Sequence, residues 1–364
     1  MFYCVSNVNR NMIGEFSLRR LQRVGKATYS VSLPKGWVRK RGLRPGDILE
    51  VYEESDGSLR IRSRMDKLAE SSYLIDAELC RVYGQISKLI TACYHRGCER
   101  IEVRAAGGLS DEVVKEISEA ASRLPGFEII ERTNKSIVLQ NFVDPSKFSV
   151  RGLIRRLQTM ISTMFGNISD FLFSRSYEDI KSIRDLREKI YQLHELIVRL
   201  LITYLEHRGL GRMIGLKNSA EAYCMIMFSD HILRIAEHLY NIGEEFLRFR
   251  KKIWRDKEML SLFRELIGMT SMIFEDSINT FINTDPQHTM KILNQISNIV
   301  DHQLSGGEFL KARDLERTCF IEKILCSLKG VMLECERIVE EIFDRFIENG
   351  GPVCILREGA SKSI

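Results

Sequence analysis

Apolar and polar positions alternate from Ala27 to Leu33. Ala27, Tyr29, Val31 and Leu33 are separated by Thr28, Ser30 and Ser32. A period of two predicts a strand with one buried face. Pro34 ends it, and residues 34–41 hold only about two helical turns before Gly42, a C-terminal stop. Arg44-Pro45-Gly46-Asp47 is a turn, because Pro presets φ and Gly accepts a positive one. Ile48 to Tyr52 is a second strand, and Asp56-Gly57 turns it back through Leu59-Arg60-Ile61.

The pattern then changes. Leu74 to Tyr94 has helical spacing, and Ile101 and Val103 alternate within a short strand, 99–104. Gly107-Gly108 turns into a helix begun by Ser110, with Asp111 and Glu112 in its first turn. Pro125-Gly126 closes that helix, and 127–131 and 136–140 read as strands joined by a turn, giving a small α/β unit over 65–147. Between Ser146 and Gly351 the only proline is Pro286. Apolar spacing predicts six helices there, near 149–173, 179–207, 217–250, 257–282, 287–304 and 312–349. They divide into two three-helix units, 148–252 and 253–349, with a loose leader over 1–15 and a tail over 350–364.

Charge changes the picture at the N-terminus. Residues 1–64 hold thirteen Lys/Arg against six Asp/Glu, a charge of +7. The whole chain carries +5, so the remainder is −2. From Phe16 to Gly46 there is no acidic residue. A compact segment with that charge repels itself unless something anionic lies against it, and a polyphosphate backbone fits. The nine cysteines are odd in number and include no Cys-x-x-Cys, which predicts buried thiols in a reducing cytoplasm. Cys93 and Cys98 lack the second pair that a zinc site needs. No apolar run approaches a membrane span, so no membrane insertion is expected. No nucleophile–base pair, paired acid and base, or cofactor loop is present, so an enzyme is not expected. The turn at Gly107-Gly108 could cradle an anion at a helix start, though such turns are far more often only turns.

The order strand, short helix, Gly42-Leu43-Arg44-Pro45-Gly46-Asp47, strand, hairpin resembles the swapped-hairpin DNA-binding domain of the AbrB/SpoVT/MazE superfamily over 16–64. In that family two chains interleave hairpins into one small β-barrel, so the resemblance implies DNA and a homodimer as partners. About 50 residues with few large apolar groups cannot bury a sufficient core alone. By the resemblance Arg19, Arg20, Lys26 and Arg39 fall at DNA-facing positions; Lys35 and Lys40 join them on charge alone.

The helical half repeats. Leu233 to Glu244 can be laid on Glu336 to Asp344 at an offset of 103, with Arg234 on Arg337, Ile235 on Ile338 and Glu237 on Glu340. Here the chain resembles PhoU, the phosphate-uptake regulator of two repeated three-helix bundles; Arg234-Ile235, His238, Asn241-Ile242 and Glu244 match its motif. A PhoU-like half behind an AbrB-like half resembles archaeal phosphate-uptake regulators. The implied fold class is multidomain α+β: an N-terminal swapped-hairpin barrel, a small α/β middle domain and an all-α repeat of two three-helix bundles. Many PhoU proteins hold metal on paired carboxylates four residues apart, a spacing that puts both on one helix face. Glu336 and Glu340 keep that spacing, and Glu237 is left alone because Leu233 replaces its mate. The partner motif falls at Arg187 and Tyr191. We therefore read salt-bridged helix faces first, with Arg234 satisfied by Asp230 and Glu237. A divalent or iron ion on Glu237, Glu336 and Glu340 is the second reading. His231 and His238 are expected to be partly exposed helix histidines.

The resemblances imply a dimeric, cytoplasmic DNA-binding transcriptional regulator of phosphate uptake, whose helical domain senses or relays phosphate status. The alternative is an adaptor that contacts a phosphate transporter ATPase or sensor kinase, with the N-terminal barrel serving mainly for dimerisation.

Overall fold

The computed structural model describes residues 18–53, 57–63, 72–174, 177–206, 215–216, 218–283, 286–304 and 315–348. The expected leader, the tail and Asp56 of the hairpin turn lie outside the described residues. The chain forms two compact units, 1–69 and 70–364.

In the first unit β1 (Gln22–Val24) pairs antiparallel with β2 (Thr28–Ser30), placing Arg23 opposite Tyr29. Gly25 takes φ 75° in the turn between them. Helix α1 (Lys35–Lys40) ends on Gly42 at φ 65°. The Gly42 N–H donates to the Arg39 carbonyl and the Leu43 N–H to that of Val38, which satisfies the last turn as a Schellman motif does. β3 (Leu49–Glu53) and β4 (Leu59–Ser63) form a second antiparallel pair, Val51 opposite Ile61. The two pairs are separate sheets, so the expected barrel is not closed within one chain. The physical reason is the shortage of apolar bulk. Among its described residues the only buried side chain is that of Ser63, while Leu18 is 83% exposed, Ile48 64% and Leu59 67%.

The second unit begins with a four-stranded mixed sheet in the order β5-β6-β8-β7. β5 (Ser72–Asp76) runs parallel to β6 (Arg100–Arg104), and β8 (Ser136–Asn141) pairs antiparallel with both β6 and β7 (Phe127–Arg132). Helices α2 (Gln85–His95) and α3 (Asp111–Arg123) cover one face, over a core that includes Ile90, Ile101, Val103, Ile117 and Leu139. The helix expected from Leu74 begins only at Gln85. Leu74 and Ile75 belong to β5 because Ile75 faces that core beside Val103, and Gly84, at φ 85°, interrupts any continuous helix. Ser110 caps α3 by accepting from the Val113 N–H, as its position predicted.

Among the described residues six helices follow: α4 (Val150–Ser174), α5 (Tyr177–Glu206), α6 (Ser219–Ile253), α7 (Lys257–Asn283), α8 (Pro286–Asn298) and α9 (Leu315–Glu348). A single π-helical turn, Ile299–Gln303, continues α8. Apolar residues at the expected spacing, such as Ile235, Leu239, Ile242 and Phe246 on α6, fill one continuous core. The rings of Phe249 and Phe320 stack at 4.3 Å, and Phe263 meets Phe320 edge-on at 5.6 Å. Among the described residues no helix is long and apolar enough to cross a membrane.

Candidate nucleic-acid interface

Arg19 and Arg20 precede β1, Lys26 lies in the β1–β2 turn, and Lys35 opens α1 while Arg39 and Lys40 close it. All six side chains are exposed. Among the described residues none of them is held by a carboxylate. Local acids and cations are spent on shape instead. The Arg23 guanidinium donates to the Lys26 carbonyl at 2.6 Å, fixing the turn that carries Lys26. The Asp47 carboxylate accepts from the Arg44 backbone N–H at 2.7 Å, which closes the Pro45-Gly46 turn. These six basic side chains thus have no carboxylate partner among the described residues, as a phosphate-binding surface requires.

The helical faces are built differently. Arg187 on α5 donates from Nε to Glu237 on α6 at 2.8 Å and stacks over the Tyr240 ring at 4.8 Å. Arg184 reaches Glu244 at 2.9 Å. The position that departs from the family's carboxylate pattern thus supplies a guanidinium to the carboxylate that remains. Among the described residues Arg234 pairs with Asp230, at 2.9 Å, and not with Glu237, which Arg187 holds. Glu336 and Glu340 lie on α9, half-buried and exposed respectively. A guanidinium against Glu237 disfavours a cation there, and among the described residues no three His, Cys, Asp or Glu side chains are grouped to hold a metal ion. These residues do not fit the family's metal cluster.

His231 differs from the sequence expectation. It is buried, and its Nδ1 lies 2.7 Å from Glu334 on α9, which Arg337 also holds. Residues 231 and 334 differ by the repeat offset of 103. The two helices therefore meet at repeat-equivalent positions, a point of internal pseudosymmetry. His238 is half-buried, and Gly330 is needed beside it because a methyl group there would overlap the imidazole ring.

The seam between middle domain and bundle went unread in the sequence. Arg199 of α5 is 2% exposed. It donates to the carbonyls of Tyr94 at 2.7 Å and Cys98 at 3.0 Å and to Glu99 at 3.0 Å, with the Tyr94 ring at 4.8 Å. It thus satisfies carbonyls at the negative end of α2. Alongside, His95 Nε2 lies 2.5 Å from the buried Glu195. The signal was a lone arginine in the apolar run Leu196 to Ile202. The turn at Gly107 binds no external anion through its first amide, which donates to Glu78 at 2.8 Å.

Four titrating groups here share one sign. Burial holds the His194 and His238 imidazoles below 6.5. For Glu195 and Glu334 burial pushes upward, but the hydrogen bonds from His95 and His231 and nearby positive charge outweigh it and leave both carboxyls low. Groups with a depressed folded pKa stabilise the fold above their unfolded values and lose that contribution as pH falls. The thermal midpoint is therefore expected to drop between pH 7 and pH 5 through the histidines, and again below pH 4.5 through the carboxylates. A His194→Gln/His238→Gln double variant followed by calorimetry should show a smaller drop between pH 7 and 5; an unchanged drop would refute the assignment.

Residues 22–68 match the family model described as antidote-toxin recognition MazE, bacterial antitoxin. Residues 154–246 match the PhoU domain. Among solved structures PhoU from Pseudomonas aeruginosa is similar at 13% identity, covering 55% of this chain and 96% of that one with a TM-score of 0.46. No curated protein matches. The chain thus carries a MazE/AbrB-type domain ahead of a PhoU domain, modules of regulatory rather than catalytic families.

Proposed function

We propose that the protein is a dimeric DNA-binding transcriptional regulator of phosphate homeostasis. Its N-terminal unit binds operator DNA, and its PhoU domain relays phosphate status, through contact with a phosphate transporter ATPase or a sensor kinase. The observation that carries the DNA half is the set of six exposed basic side chains, without a carboxylate partner among the described residues, on a MazE-type domain. The exposed Leu18, Ile48 and Leu59 support the dimer, since apolar surface that a small unit leaves in water favours burial against a second copy. The word phosphate rests on the PhoU domain.

Binding of the purified chain to its own upstream DNA, measured against a scrambled duplex, tests the reading. Preference of at least tenfold for its own DNA is expected. Equal and weak binding to both would transfer the function to the protein-contact adaptor.

A further inference from the structure

Positive charge gathers in the helical bundle as well as in the N-terminal unit. Residues 248–257, the end of α6 and the step into α7, hold six Lys/Arg and one acid, Asp256, although residues 65–364 as a whole carry −2. A charge run on a helix is ordinarily a solvated face. This one lines a cavity of about 780 Å³ formed by the end of α6 and the first turns of α7 and α9. Lys252, Arg255, Lys257 and Arg317 bring cations to it from all three. The buried Phe249 and Phe320, stacked on one another, supply apolar wall.

Two of the cations are set in place by acids. The Asp256 carboxylate accepts from the Met259 N–H at 3.0 Å and from the Arg317 guanidinium at 2.9 Å, which ties the start of α9 to the start of α7. Glu316 holds Lys252. Arg255 and Lys257 are exposed, and among the described residues neither is held by a carboxylate. Glu258 shares the lining with Asp256, so four cations face two carboxylates, a balance of +2.

Cations ranged around a concavity repel one another, and an apolar wall strengthens that repulsion by excluding water. An anion that carries several charges relieves it. A chain of phosphoryl groups spaces its charges so that separate cations engage it together, and a guanidinium meets a phosphate with two parallel hydrogen bonds. Cavities of about 300–1,000 Å³ take ligands of small organic size, so a lone orthophosphate would leave most of this one empty.

We infer that this cavity binds a small anion bearing a chain of phosphoryl groups, with Arg255 and Lys257 as its principal contacts and the preset Lys252 and Arg317 completing the ring. Inorganic polyphosphate and a nucleoside triphosphate share that chemistry. That such an anion reports phosphate status rests on the function proposed above; its binding to the cavity does not.

Isothermal titration calorimetry of the full chain at physiological salt, with sodium tripolyphosphate, ATP and orthophosphate, tests this. The variants are Arg255→Ala/Lys257→Ala, both exposed positions, and Arg19→Ala/Arg39→Ala, which reduces the other basic cluster. The expected result is a saturable site for tripolyphosphate or ATP that persists in Arg19→Ala/Arg39→Ala. In Arg255→Ala/Lys257→Ala its Kd should rise roughly tenfold or more. The tighter of the two ligands identifies the source of the phosphate chain. Binding lost in Arg19→Ala/Arg39→Ala but kept in Arg255→Ala/Lys257→Ala overturns the cavity site and leaves the DNA reading standing. Absence of saturable binding overturns it as well, and orthophosphate binding as tightly as both longer ligands overturns the assignment to a phosphate chain. Hydrogen exchange of the 255–259 amides in the wild type decides the matter even if a variant fails to fold: protection by the ligand is expected, and unchanged exchange overturns the site. If the cavity binds while preference for the chain's own DNA is absent, the site stands and the regulator reading falls.

Discussion

Arg199→Ala is expected to lower the thermal midpoint by roughly 10 °C and to split unfolding into two calorimetric transitions. The substitution leaves the carbonyls of Tyr94 and Cys98 without that donor and takes one from Glu99, all at a seam where Arg199 is itself buried. Breaking a buried pair by removing one member costs about 3–5 kcal/mol. Glu99 is partly solvated, so the lower part of that range applies to its charge, but the two carbonyls and the lost packing on Tyr94 add to it. The split follows from the two cores being separate apolar clusters, one in the sheet domain and one in the bundle. Arg199 belongs to a helix of one and bonds to groups of the other. Arg199→Lys should recover about half of the loss, because one ammonium cannot reproduce a planar fork across three acceptors. A single transition shifted by less than about 2 °C in Arg199→Ala would show that the clamp is incidental.

This contact marks where sequence reading runs out. The six long helices are legible because each buries a stripe at i, i+4, i+7 over many turns, and a long period-3.6 signal has few alternative readings. The short strand β5 is not, since Leu74 and Ile75 fit the start of a helix as well as they fit a strand. Only pairing with β6, a partner 28 residues away in register, decides between them. The basic cluster is legible because charge without counter-charge is a property of composition along the chain. The pairing of Arg187 with Glu237 shows the opposite case: the departure from the metal motif can be read in sequence, but that the intruding cation meets the surviving carboxylate requires α5 and α6 to be placed side by side. His231 looks like a surface histidine until α9 brings Glu334 to it.

Replacing Arg19 and Arg39 by alanine should weaken operator binding about a hundredfold at moderate salt while leaving the fold intact. Both side chains are exposed, one ahead of β1 and one in the last turn of α1, and neither holds a structural contact among the described residues. Hydrogen bonds to a charged group contribute about 1.5–3 kcal/mol each, so the pair should contribute about 3 kcal/mol, near two decades in Kd. The salt dependence carries the mechanism. If about six phosphates are neutralised, log K falls with log salt at a slope of about −5.4, and removing two contacts should bring it to about −3.6. Loss of affinity with the slope unchanged would mean that the two arginines act by shaping the unit. A wild-type slope near zero would remove phosphate neutralisation from the account altogether, because no other property of this basic segment gives binding that salt should spare.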